Sequence, residues 1–154
     1  MIETFTTDSA EATRSLGKTL AGKMTPGTLL CLEGDLGAGK TTLVQGLLEG
    51  FGAERPYVSP TFVLMKQYDL PLRQTSLTIP SVMGIKRIYH ADAYRVGEKD
   101  FRELGFAEWC SDSEGLVILE WPERIGALLP EKRIDIVISA TSETERTIKM
   151  MIQK

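Results

Sequence analysis

The chain contains one histidine, two cysteines and no apolar run near the ~20 uninterrupted residues that a membrane span requires. A single histidine, His90, cannot build a histidine-based metal cluster. Cys31 and Cys110 have no ligating companions at finger-like spacing, so structural zinc and thiol redox chemistry are set aside. Cys31 falls inside an apolar strand pattern, where a thiol simply packs. An excess of one charge is missing too: 18 basic residues stand against 21 acidic ones, a net charge of -3. Strong attraction to DNA or to an anionic membrane is therefore not encoded, and a role near nucleic acid would work through partners. The N-terminus carries no basic-then-apolar leader, so a cytoplasmic protein is expected. The length suits one domain, 1–154, with an ordinary core.

What is present is concentrated at residues 34 to 41, Gly34-Asp35-Leu36-Gly37-Ala38-Gly39-Lys40-Thr41, which match GxxxxGK[ST] in full. A phosphate chain is a compact polyanion, and its site needs several donors with no side chains in the way. Glycines allow the backbone N–H groups to turn inward as a nest, and the following helix adds its positive N-terminal end. Gly37, Ala38, Gly39, Lys40, Thr41 and Thr42 are thus the candidate nucleotide-binding residues. Lys40 would reach the β and γ phosphates, and Thr41 would offer its hydroxyl to Mg2+. A random chain of this composition would match the pattern with probability about 0.01. The setting is more selective still, because the apolar run Leu29–Leu32 precedes the loop and Thr42–Leu48 continues at helical spacing.

Along the chain, Ile2–Thr6 alternates like a strand, and Asp8 with Glu11 resembles a capping box opening a helix that Pro26-Gly27 ends. A strand over Thr28–Glu33 and a helix over Lys40–Phe51 flank the loop. Val58–Tyr68 reads as an extended segment opened by the Ser59-Pro60 turn. Residues 69 to 84 read as a poorly ordered surface excursion between two strands. A strand is expected over Ile85–Tyr94, a helix over Lys99–Trp109, and a short buried strand over Leu116–Leu119. Ile134–Ile138 and Thr147–Ile152 form a hairpin signature. Several strands follow one another without helices. The pattern therefore predicts an α/β fold with a mixed central sheet, parallel around the phosphate loop and antiparallel outside it.

Hydrolysis needs carboxylates besides the loop. Glu120 ends the Leu116–Leu119 strand, where its carboxylate would emerge at the nucleotide edge of an α/β sheet as a magnesium acid; otherwise it is a solvated strand end. Asp92 lies inside a strand-like run and needs a cation or donors if buried. It would orient metal or water, or else pair with Arg95. His90 shares its strand face and is read as a packed core histidine that could stack near the site. Ser59-Pro60-Thr61 stands where nucleotide switches supply a hydroxyl near the γ phosphate. Trp121 beside Glu120 is packing, a shield for the site or a partner contact.

Together, GDLGAGKTT (Gly34–Thr42), SPTF (Ser59–Phe62), HADAYR (His90–Arg95), ELGF (Glu103–Phe106) and LEWPER (Leu119–Arg124) resemble the TsaE family, also called YjeE, in order and spacing over essentially the full chain. The resemblance implies a P-loop NTPase-like three-layer sandwich with a C-terminal antiparallel hairpin. It implies a Mg2+-dependent ATPase, binding ATP and ADP, that supports threonylcarbamoyladenosine formation on tRNAs reading ANN codons. The implied partners are the TsaD and TsaB proteins, with tRNA reached indirectly through their complex. By position, Thr41 and Glu120 would serve magnesium, and Lys40, Asp92 and Glu120 would serve catalysis. The C-terminal hairpin and the start of the first helix would flank the adenine. Arg95, Arg124, Arg146 or a partner residue could act as an arginine finger. A small-molecule kinase and a nucleotide-sensing switch stand as alternatives.

Overall fold

A computed structural model of the chain describes residues 1–71 and 84–153. Its strands are β1 (Ile2–Thr7), β2 (Leu29–Glu33), β3 (Met65–Asp69), β4 (Arg87–Asp92), β5 (Gly115–Glu120), β6 (Ile134–Ala140) and β7 (Arg146–Ile152). They form one seven-stranded sheet in the order β1-β7-β6-β2-β5-β4-β3. The central pairs β6/β2, β2/β5 and β5/β4 are parallel. The outer pairs β1/β7, β7/β6 and β3/β4 are antiparallel. The mixed sheet and the C-terminal hairpin thus match the expectation. β5 is buried along its whole length, and so is β2 up to Glu33, because both of their faces are covered.

Alternation along the central strands divides the core into two layers. Leu30, Leu32, Ile88, Leu116, Ile118 and Ile136 face α1 (Ala10–Ala21) and α2 (Lys40–Phe51), meeting Leu20, Leu43, Leu47 and Leu48. Leu29, Cys31, Tyr89, Ala91, Val117 and Leu119 face the other way. They meet Phe101 of α3 (Glu98–Leu104), Phe106 and Trp109 of α4 (Phe106–Ser111), and Ile125 of a 3-10 turn over Pro122–Leu128. The result is a helix–sheet–helix sandwich. Burial pushes the Cys31 thiol up to about 12, as expected of an inert core cysteine.

Several local expectations are corrected. The cap of α1 is Ser9, whose hydroxyl accepts from Ala12 N at 3.0 Å, rather than Asp8. The helix expected over Lys99–Trp109 is two short helices, broken at Gly105 with φ +99. The segment expected to be extended from Val58 is turned over residues 60–64 and becomes a strand only at Met65. The β4 strand is shorter than Ile85–Tyr94 at both ends. The 3-10 turn was not anticipated. Most of the proposed excursion, residues 72–83, lies outside the described residues. Among the described residues no helix is long and apolar enough to cross a membrane.

Candidate functional site

Strand β2 ends at Glu33, and the chain turns through the glycine loop into α2, which begins at Lys40. Gly37 and Gly39 take φ +79 and +110, values that side chains resist, so the loop curls tightly between β2 and α2. The Ala38 side chain instead packs in the core below, and its N–H donates to Asp35 O at 3.0 Å.

The register of the parallel strands brings the acids to this loop. Asp92 ends β4 directly opposite Glu120 at the end of β5, and Glu120 in turn neighbours Leu32 of β2. Sequence positions 28 apart thus become cross-strand neighbours at one sheet edge, the edge where α/β sheets hold ligands. A cleft of about 250 Å3 lies there, lined by Gly37, Gly39, Lys40, Thr41, Thr42, Thr61, Asp92, Glu120 and Trp121, together with Leu36. Every candidate site residue except Ala38 reaches it.

Lys40 is buried, and its ammonium donates to the carbonyl oxygens of Gly34 and Asp35. It also stands 4.1 Å from the centroid of the Trp121 ring, a desolvated cation–π contact. Burial lowers the Lys40 pKa, against the opposing pull of Glu120, Glu123, Asp92 and Asp35. Trp121 adopts φ +61 and packs against Tyr94 with ring centroids 4.8 Å apart and planes tilted by 45°, which holds the indole over the lysine.

Asp92 is buried with both oxygens bonded. Oδ2 accepts from the Thr61 hydroxyl at 3.0 Å, and Oδ1 accepts from Tyr94 N at 2.8 Å. The Arg95 alternative is not realised, since that guanidinium lies over the Phe62 ring at 4.8 Å. Thr61 is further joined to the Ser59 hydroxyl at 2.8 Å, so the SPTF segment reaches the site through its threonine. Glu120 is also buried, and its Oε2 lies 3.1 Å from His90 Nε2. His90 is therefore both a core residue and a contact of the site.

Arg146, at the start of β7, leans across the loop. It donates to Gly37 O at 3.5 Å and to Ser142 O and Glu145 O at 3.0 and 2.9 Å. A second cleft of about 380 Å3 continues from Gly37, Gly39 and Thr42 to Ser9 and Thr13 of the α1 start, and to Glu143, Thr144 and Arg146 of the β6–β7 hairpin. Hairpin and first helix thus do border the loop. Arg124 lies over the Tyr94 ring at 5.5 Å, outside the 250 Å3 cleft, which no arginine lines among the described residues.

No group of three or more His, Cys, Asp or Glu among the described residues could hold a metal by itself. One threonine and one or two carboxylates beside the glycine loop would suit a magnesium ion that arrived with a nucleotide, since Mg2+ keeps several waters and shares phosphate oxygens.

The sequence model of the family described as "Threonylcarbamoyl adenosine biosynthesis protein TsaE" matches residues 7–148. The chain is similar to the tRNA threonylcarbamoyladenosine biosynthesis protein TsaE of Bacillus subtilis (strain 168), 37% identical over 142 residues, covering 92% of this chain and 80% of that one. It is similar to the protein of the same name from Treponema pallidum (strain Nichols), 32% identical over 141 residues and covering 91% and 93% of the two chains. The crystal structure of Bacillus subtilis YdiB superposes with a TM-score of 0.75 at 29% identity, covering 100% of this chain and 87% of that one. The P-loop NTPase-like expectation for the fold is met.

Proposed function

The chain belongs to the TsaE family, and on that premise we propose that it is a Mg2+-dependent ATPase acting in tRNA threonylcarbamoyladenosine biosynthesis with the TsaD and TsaB proteins. The observation that carries the reading is the convergence of Lys40, Thr41, Thr61, Asp92 and Glu120 on one cleft at the glycine loop. The loop amides and the α2 N-terminus bind the phosphates of ATP or ADP. Thr41 and Glu120 hold magnesium, which when bound neutralises charge on the β and γ phosphates. Lys40 exchanges its loop carbonyls for phosphate oxygens and stabilises the charge that builds up in phosphoryl transfer. Asp92, oriented by the Thr61 hydroxyl and the Tyr94 amide, positions the attacking water. Among the described residues no arginine lines the cleft, which supports completion by a partner and slow turnover in isolation.

The test is ATP turnover and multiple-turnover tRNA modification, reconstituted with TsaD, TsaB and tRNA. Asp92→Ala is expected to lower hydrolysis by roughly 100-fold or more while ATP still binds. Modification is expected to stall after the first turnovers, both with this variant and when the chain is omitted. A full-speed ATPase in the purified chain alone would refute partner completion. Normal modification without the chain would refute the role. Normal modification with Asp92→Ala would make the chain a nucleotide-sensing switch.

A further inference from the structure

His90 occupies a costly position. Its ring is buried in the layer between the sheet and α2, with Nδ1 enclosed and without a hydrogen-bond partner among the described residues. A leucine would fill such a place without stranding a polar atom. What a leucine could not supply is the contact at the other nitrogen, where Nε2 lies 3.1 Å from Glu120 Oε2 and both side chains are 4% exposed. A carboxylate only accepts, so the shared proton belongs to Nε2, which donates to Oε2.

The strand register explains why this pair forms. Asp92 stands opposite Glu120, and His90 stands opposite Ile118, so His90 and Glu120 are diagonal neighbours on the same sheet face. Among the described residues His90 is the only hydrogen-bond partner of the Glu120 side chain, and it engages Oε2 alone. The other oxygen, Oε1, remains available to the cleft that Glu120 lines with Thr41. His90 itself does not line that cleft, so any effect it has on the site passes through the carboxylate.

We infer that His90 is a positioning residue that fixes the Glu120 carboxylate so that one oxygen is presented to the nucleotide-bound magnesium ion. The inference rests on the reading of Glu120 as a magnesium carboxylate. A partner that holds one ligand oxygen sets the rotamer in advance, so the ion need not order the side chain as it binds.

The experiment titrates Mg2+ calorimetrically into the ADP-saturated protein and, separately, ADP into the protein in EDTA. His90→Leu is expected to weaken Mg2+ binding roughly 10-fold or more while leaving ADP affinity in EDTA within about twofold. His90→Gln, whose amide nitrogen reaches the place of Nε2, is expected to recover most of the loss. If His90→Leu does not fold, His90→Asn, whose amide falls short of Glu120, takes its place. Unchanged Mg2+ affinity in the donor-less variant overturns the inference, as does an equal loss of ADP affinity in EDTA, which marks general distortion. Glu120→Gln separates the two levels. If it binds Mg2+ like the wild type, the reading of Glu120 fails; if it loses Mg2+ and the His90 variant does not, only the role of His90 fails.

Discussion

Lys40 holds its ammonium between two loop carbonyls and the face of Trp121, and a phosphate group entering the loop would compete for the same cation. The indole is therefore placed to register nucleotide binding. The second tryptophan, Trp109, lies in the opposite layer, stacked on Tyr89 and edge-on to Phe101 and Phe106. Adding ADP is expected to change tryptophan fluorescence in the wild type and in Trp109→Phe, and to leave Trp121→Phe silent. A silent Trp109→Phe would mean that the lysine does not move off the ring, and a response that survives in Trp121→Phe would mean that Trp109 reports it. At this scale the glycine loop was legible because its pattern is contiguous along the chain. The contact of Lys40 with Trp121 was not, since it spans 81 positions (121 minus 40) and depends on a left-handed backbone at Trp121.

At the scale of elements, α1 and α2 are pressed together through glycine. A Cβ on Gly46 would stand 2.0 Å from Arg14 O, and one on Gly17 would stand 2.4 Å from Leu43 O. This close approach seats α2, and with it the glycine loop at its N-terminus. Gly46→Ala is expected to destabilise the fold by about 2 kcal/mol or more through overpacking against backbone. Gly126→Ala, where a Cβ meets nothing within 4 Å, should stay within about 0.5 kcal/mol. Urea unfolding of the two variants checks the contrast, and equal effects would show that the helix contact yields easily. Elements with strong periodicity, such as α2, β2 and β5, were readable within a residue or two. The failures have local causes: Gly105 breaks an apparently continuous helix, Ser9 rather than Asp8 supplies the cap, and residues 60–64 turn with the Val63 and Leu64 amides donating to Pro60 O.

Across the whole molecule, the two ends of the sheet do different work. The C-terminal ends of β2, β4 and β5 carry the cleft, while the starts of β4 and β5 are clamped by Arg87. Its Nε and Nη2 donate to the two oxygens of Asp112 at 2.7 and 2.8 Å, and Tyr89 OH adds a bond at 2.7 Å. The Arg87 hydrogen bonds hold the Asp112 carboxyl well below the usual carboxylate range, helped by Tyr89 and the Glu114 amide and opposed by burial. A depressed folded-state pKa contributes stability above the unfolded value of about 4, and that contribution is lost as pH falls through the folded value. The stability gap between wild type and Asp112→Asn should therefore be constant from about pH 5 to 8 and narrow below about pH 4. Denaturant midpoints at pH 7 and pH 3 test this, and an unchanged gap at pH 3 would show that the clamp is not ionic. The sequence by itself determined the glycine loop, the strand and helix that flank it and the mixed character of the sheet, because each rests on spacing and periodicity within a short stretch of chain. Only the tertiary structure decided that Asp92 and Glu120 share a register, that His90 bonds Glu120 and that Arg146 leans over the loop. Those contacts depend on strand order, and strand order is set by which apolar faces pack together rather than by any local pattern.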